Sequence, residues 1–230
     1  MEEDQFNEAA LREMAGESVL FSQEIIEPRN WNEQWEQHFD PVIIEDFCAI
    51  RAHFHSPVTT VQHEIIITPK MSFGTGHHPT TWLMVTGLRD VNPAGKSVLD
   101  FGTGTGILAI LSEKLGAEAI TAIDNDDWSI FNAAENIENN HCSRIILEKT
   151  DAPPPGKRFD IILANINRHV ILSNMEKMKQ QMNDGGVIIV SGILVGDEKE
   201  VEKSAMESKI KIIGHKVREN WVSLLLTSVV

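Results

Sequence analysis

Cysteine is scarce in this 230-residue chain, and the two present, Cys48 and Cys142, stand far apart without metal-ligand spacing. That excludes a disulfide framework and makes a reducing cytoplasm the expected compartment. Basic residues are in deficit, with 20 Lys and Arg against 34 Asp and Glu and a net charge of −14. A nucleic-acid backbone is therefore not expected as a direct partner, because phosphate contacts need a basic footprint. The acidic balance suits a basic partner or simple solubility. A membrane-length apolar run and a signal peptide are missing, so no membrane association is expected and the reading is a soluble intracellular protein. No internal repeat is visible. What remains is a chain with 42% hydrophobic residues, enough for a sizeable core. Its length allows one large α/β domain or a domain with an appendage.

The most informative stretch is Ser97–Gly106, Ser-Val-Leu-Asp-Phe-Gly-Thr-Gly-Thr-Gly, followed by Ile-Leu-Ala-Ile-Leu. Val98 and Leu99 read as the end of a buried parallel strand, with Asp100 at its carboxyl end. Gly102, Gly104 and Gly106 then turn the chain into a helix through Leu115. In an open α/β sheet the crevice at such strand ends is where ligands sit. A dinucleotide fingerprint needs a G-x-G-x-x-G spacing, and position 107 is Ile; a nicotinamide dehydrogenase is disfavoured on that ground. The G-x-G-x-G pattern preceded by an acid resembles the S-adenosylmethionine loop of doubly wound methyltransferases. The plain alternative is a glycine-rich turn with no ligand. A second acid weighs against that alternative: Ala119–Ile123 reads as the next strand and ends at Asp124. An acid about 20 residues beyond the loop is placed to bind ribose hydroxyls.

In chain order, residues 1–20 carry Phe6, Ala9, Ala10 and Met14 at helical spacing, and Trp31 and Trp35 share one face of a second helix that Asp40-Pro41 stops. Core packing is the favoured role for these tryptophans over ligand stacking. Strands are expected at 42–44, 47–53 and 64–68. His53 and His55 alternate on extended chain, but without a third ligand nearby no metal site is assigned. Pro79 suits the first turn of a helix reaching about Arg89. The loop before it, bracketed by Gly74 and Gly76, either presents donors to an anionic group or simply caps the helix. A helix through Trp128, Phe131, Ala134 and Ile137 ends near Asn139-Asn140. A strand at 145–147 precedes Thr150-Asp151, and the strand 159–164 leads to Asn165. A helix over 169–182, a turn at 184–186, a strand at 187–190, a helix near 197–208 and two more strands complete the alternation of a doubly wound sheet.

Met71-Ser-Phe-Gly-Thr-Gly-His-His-Pro-Thr-Thr81 gives the second signature. Phe-Gly-Thr-Gly-His-His-Pro-Thr-Thr resembles the F-G-T-G-T-H-P-T-T motif of PrmA, the methyltransferase family of large-subunit ribosomal protein eleven. The order of W-x-x-x-W (Trp31, Trp35), the D-x-G-x-G-x-G loop, Ala-Ile-Asp-Asn-Asp at 122–126, Leu-Ala-Asn-Ile-Asn at 163–167 and the tail at Trp221 is similar too. The similarity runs from about residue 29 to the end. His77 departs from the family Thr while keeping hydrogen-bonding capacity. The family also carries an amino-terminal recognition domain, and 28 residues before the linker are too few for one. The expected organisation is a short segment over 1–28, a linker helix with strands over 29–68, and a methyltransferase domain over 69–230.

The resemblance implies a Rossmann-like class I sheet, mostly parallel with an antiparallel C-terminal strand, and S-adenosylmethionine as cofactor. It implies methyl transfer to lysine or amino-terminal amines of a basic ribosomal protein. Phe73 and Thr81 would hold the methionine end, Gly102 and Gly104 would approach it by backbone, Asp124 would bind ribose and Asp151 would lie against adenine, with Gly74, Asp100, Thr103 and Asn165 completing the implied cofactor-binding set. Asn165 would stand at the methyl-transfer mouth as the catalytic group. Enzymes that methylate planar amides resemble N-P-P-Y at this strand end, and Asn165-Ile166-Asn167-Arg168 lacks both prolines and the aromatic. Methylation of another protein or a small amine, and a cofactor-binding module without turnover, are the remaining readings.

Overall fold

The β-branched run Ile161-Ile162 and the run Val187–Val190 are apolar on both faces, as strands covered by helices on either side must be. A computed structural model describes residues 40–69 and 74–229. The expected helices at 1–20 and around Trp31–Trp35, and the candidate Phe73, lie outside the described residues.

Seven strands form the main sheet: β4 (Ser97–Phe101), β5 (Ala119–Asp124), β6 (Ile145–Lys149), β7 (Phe159–Asn165), β8 (Met182–Leu194), β9 (Ile210–Arg218) and β10 (Trp221–Ser228). Their order is β6-β5-β4-β7-β8-β10-β9. The first five are mutually parallel, and β10 inserts antiparallel between β8 and β9. This is the mostly parallel α/β sheet with an antiparallel C-terminal strand that the sequence leads one to expect. Alternate residues of the central strands face different layers. Ile162, Ile188 and Val190 join one core with Ile171, Met175 and Met178 of α4 (Arg168–Gln180) and Val201 and Ala205 of α5 (Glu198–Glu207). Across the sheet α1 (Pro79–Val91) packs on β7, β8, β9 and β10.

Strand β8 is longer than the 187–190 of the sequence reading. It begins at Met182, opposite Phe159, and an irregularity between the Phe159 and Ile161 pairings absorbs Asp184-Gly185-Gly186. The expected turn is thus a bulge within one strand.

A smaller sheet precedes the main one: β1 (Val42–Ile44) pairs antiparallel with β2 (Cys48–Ala52), and β2 pairs parallel with β3 (His63–Ile67). It belongs to the same compact unit as the large sheet, with β3 packed on α2 (Ile107–Lys114) and α3 (Asp127–Asn139). The second strand is shorter than the sequence suggests. His53–His55 form a turn instead of extended chain, in which His55 Nδ1 accepts the Ala52 N–H at 3.2 Å. Among the described residues no group of three or more His, Cys, Asp or Glu is placed to hold a metal ion.

Helix α3 inverts the usual pattern. Trp128 and Phe131 are 74% and 61% exposed, while the buried face carries Asn132, Ala133 and Asn136, continued by Asn140 just past the helix. The asparagines are buried because each bonds backbone, as described below. No described helix is long and apolar enough to cross a membrane.

Candidate functional site

Because β4, β5, β6 and β7 run parallel, their carboxyl ends share one edge of the sheet. Phe101, Asp124, Lys149 and Asn165 close these strands. The glycine turn after β4 lies on this edge, where open α/β sheets bind ligands.

The turn is fastened from within. The N–H groups of Gly102 and Thr103 both donate to the Ile123 carbonyl at 2.9 Å, and Gly104 N–H donates to Asp124 Oδ2 at 2.9 Å. Asp124 Oδ1 takes the Asp126 N–H at 3.0 Å. Each carboxylate oxygen keeps a further lone pair for a hydroxyl donor. With these amides turned inward, a ligand would meet the Cα faces and carbonyls of the loop. That surface suits a cation better than a phosphate, which needs free N–H donors. Gly102 has φ +75°, and a Cβ there would fall 2.3 Å from Ile166 Cγ2. Only glycine lets the loop and the residue after Asn165 approach so closely.

Asp100 lies beneath the loop, 1% exposed. Its Oδ2 accepts the Thr103 hydroxyl at 2.6 Å and the Ala109 N–H, in the first turn of α2, at 3.1 Å. Its Oδ1 has no partner. Burial pushes the carboxyl up to about 6, against those two hydrogen bonds, and the nearby Asp124 charge raises it further. Asp100 and Thr103 thus shape the loop, and an unpaired buried carboxylate oxygen below it favours positive charge above.

Asn165 ends β7 opposite Ser191 and is half-buried, and its side-chain amide forms no hydrogen bond with the described residues. Asn167, two residues on, caps α4 by accepting the Val170 N–H at 3.1 Å. The two asparagines of this segment therefore do different work. Asp151 follows β6 and is exposed; the Thr150 N–H on the Asp124 carbonyl at 2.9 Å brings this turn beside the Asp124 tip. Thr81 is buried in the first turn of α1, its N–H on the His78 carbonyl. Gly74 is fixed to the glycine loop, its carbonyl taking the Thr105 hydroxyl at 2.6 Å.

Composition and spacing did not single out the far rim. His78 caps α1, its Nδ1 taking the Thr80 N–H at 3.3 Å, and its ring meets Trp221 edge-on at 4.5 Å. Trp221 pairs with Leu194, past the Asn165–Ser191 pairing, so it stands on the same edge as Asn165. The Arg218 guanidinium lies 4.6 Å from the Trp82 ring centroid next to it. These four residues become neighbours only because β10 runs back along β8, an arrangement invisible to local pattern. The wall lined by carboxylates and the wall lined by aromatics thus flank the glycine loop and Asn165.

Comparison with known proteins identifies the family and the fold. The family model described as ribosomal protein L11 methyltransferase (PrmA) matches residues 2–228, extending the resemblance amino-terminal of the tryptophan segment. The chain is 39% identical over 228 residues to the ribosomal protein L11 methyltransferase of Phocaeicola vulgatus, covering 95% of this chain and 81% of the relative. It is 43% identical over 210 residues to that of Porphyromonas gingivalis, covering 90% and 72%. Among solved structures, a ribosomal protein L11 methylase from Lactobacillus delbrueckii subsp. bulgaricus superposes with a TM-score of 0.76 at 30% identity, over 82% of this chain and 98% of that one. A methyltransferase from Pyrococcus furiosus, at 17% identity and a TM-score of 0.60 over 70% of this chain and 87% of that one, shares the fold.

Proposed function

Because the chain belongs to the ribosomal protein L11 methyltransferase (PrmA) family, we propose that it transfers methyl groups from S-adenosylmethionine to lysine side-chain or amino-terminal amines of ribosomal protein L11. The observation that carries this reading is the shared strand edge, with Asp124 on one side of the glycine loop and the uncommitted amide of Asn165 on the other. S-adenosylmethionine, when bound, supplies a methyl group made electrophilic by its sulfonium sulfur. The donor set fits that molecule: inward-turned loop amides leave carbonyls for a cationic methionine end, and Asp100 adds negative charge from below.

In this reading Asp124 accepts ribose hydroxyls, Phe73 and Thr81 hold the methionine end, and Gly102 and Gly104 approach it by backbone. Asp151 lies along the adenine. Asn165 holds the target amine with its lone pair toward the methyl group. A lysine amine has a reference pKa near 10.4 and an amino terminus about 7.7–8.0, so the nucleophile must first lose a proton. Apolar ring surface at Trp82 and Trp221 would displace part of the water around the amine, which lowers its pKa. Alignment contributes the larger share, roughly 7–11 kcal/mol for well-oriented groups. The net charge of −14 suits a basic substrate.

The test is incubation with methyl-labelled S-adenosylmethionine and purified ribosomal protein L11, followed by mass mapping. Label on L11 amines is expected. Cofactor binding without label on L11 would reject the substrate. Asn165→Ala should slow transfer more than it weakens S-adenosylhomocysteine binding; the opposite split would remove Asn165 from the reacting centre.

A further inference from the structure

Thr105, 1% exposed, bonds to two separate parts of the chain. Its hydroxyl donates to the Gly74 carbonyl at 2.6 Å, and its own carbonyl accepts Asn136 Nδ2 at 2.8 Å. Asn136 Oδ1 accepts the Thr68 N–H at 2.7 Å. The chain is therefore tied to residue 105 twice, at Thr68 through Asn136 and at Gly74 directly. Neighbouring amides reinforce the first tie. Asn132 Nδ2 donates to the Thr68 carbonyl at 3.0 Å, while Asn140 takes the Ile66 N–H at 3.0 Å and returns Nδ2 to the Ile66 carbonyl at 2.6 Å. Asparagine side chains stand here where a neighbouring strand would, and unlike apolar packing they fix register.

The second tie is not needed to satisfy its acceptor. Gly74 is exposed, and water can bond its carbonyl. What the Thr105 hydroxyl adds is location. Gly74 has φ +102°, and a Cβ there would sit 2.9 Å from Thr105 Oγ1, so the two loops meet with no space for a side chain between them.

The geometry points to Thr105 and Asn136 as positioning residues for the methyl donor: they set the Gly74 loop at a fixed distance from the glycine turn 102–106 before the donor arrives. Binding then loses less to ordering. This rests on the donor-site reading above.

The test is calorimetric titration of S-adenosylhomocysteine into the whole 230-residue chain and its variants. Thr105→Val keeps the shape and removes the donor; it should raise Kd about five- to tenfold, the worth of one hydrogen bond. The thermal midpoint of the unliganded protein should move by no more than about 2 °C. Thr105→Ser, which restores the hydroxyl, should bind within about twofold of wild type. Asn136→Ala should weaken binding, whereas Asn140→Ala, which frees Ile66 without reaching Thr105, should leave Kd within about twofold. Wild-type affinity in Thr105→Val would overturn the inference, as would equal weakening in Thr105→Val and Thr105→Ser. Equal weakening in Asn136→Ala and Asn140→Ala would overturn the role of Asn136. A wild-type chain that binds no S-adenosylhomocysteine would instead reject the donor site itself.

Discussion

Two aspartates mark opposite ends of the adjacent strands β4 and β7, and they live under opposite conditions. Asp160, at the amino end of β7, accepts the Ser97 N–H at 2.9 Å, the Ser97 hydroxyl at 2.8 Å and Asn183 Nδ2 at 2.8 Å. Chiefly through the Ser97 backbone bond, these partners hold its carboxyl below the ordinary range. Asp100, at the carboxyl end of β4, is buried with one oxygen unpaired, and its carboxyl is pushed up to about 6. A buried polar group left short of partners costs stability, and a folded chain tolerates few. At Asp160 the sheet is therefore built to hold, and at Asp100 it stores a cost that a cationic ligand would offset.

The largest expected effect sharpens this contrast. Burial pushes the Asp100 carboxyl up to about 6, above the ordinary 3.8. Its contribution to stability is complete below pH 3.8 and is lost as pH rises through 6, because ionisation is easier in the unfolded chain. The loss is on the order of 3 kcal/mol at about 1.36 kcal/mol per unit. Asp100→Asn should remove that slope, so the variant gains stability relative to wild type between pH 4 and 7 while binding S-adenosylhomocysteine more weakly. Parallel urea titrations at several pH values measure it. An unchanged slope would show that Asp100 is not the strained group.

Next comes Asn140→Ala, which strips both side-chain partners from the Ile66 backbone in a partly buried setting. About 1–3 kcal/mol should be lost. Amide hydrogen exchange at Ile66 should accelerate with it. Stability loss without faster exchange at Ile66 would mean the asparagine face works through packing alone.

How legible all this was in the sequence depends on how local the cause is. Strand–turn–helix around Asp100–Gly106 was readable because glycine chemistry and a buried apolar strand act within ten residues. Asp124 and Asn165 were readable because each ends a strand whose hydrophobic run announces it. Helix α3 existed where periodicity put it, yet its buried face was not apolar. Asn132, Asn136 and Asn140 are spaced by four, a helical stripe in plain view. Nothing local says that a strand 60 to 75 residues earlier will use their amides as an edge. The His78–Trp221 contact was hidden for the same reason, since it needs β10 to lie antiparallel beside β8. The single strand 182–194 was missed because a Gly-Gly pair reads equally as a turn and as a bulge.

At the satisfied edge, Asp160→Ala should cost about 1–2 kcal/mol, since three donors lose a charged acceptor but the site is partly solvated. The sign of its pH dependence is opposite to that of Asp100. A carboxyl held below its ordinary value stabilises the fold above that value and stops doing so as pH falls through the lowered one. Wild type should therefore lose its advantage over Asp160→Ala on acidification. Affinity for S-adenosylhomocysteine should not change, because this end of the sheet is remote from the strand tips. Weakened binding would break the division of labour between the two edges.

The smallest effect belongs to Trp128, in the first turn of α3 just past Asp124 and 74% exposed. A large aromatic stabilises a fold through the area it removes from water, and here little is removed. Trp128→Ala should change unfolding free energy by no more than about 0.5 kcal/mol. The pair Trp128→Ala and Asn140→Ala then forms a direct test on α3 and the residue that caps it, with the aromatic predicted to be expendable and the amide predicted to be costly. If the tryptophan proved costlier, α3 would be held by its apolar residues after all, and the asparagines would be passengers on a helix fixed by other means.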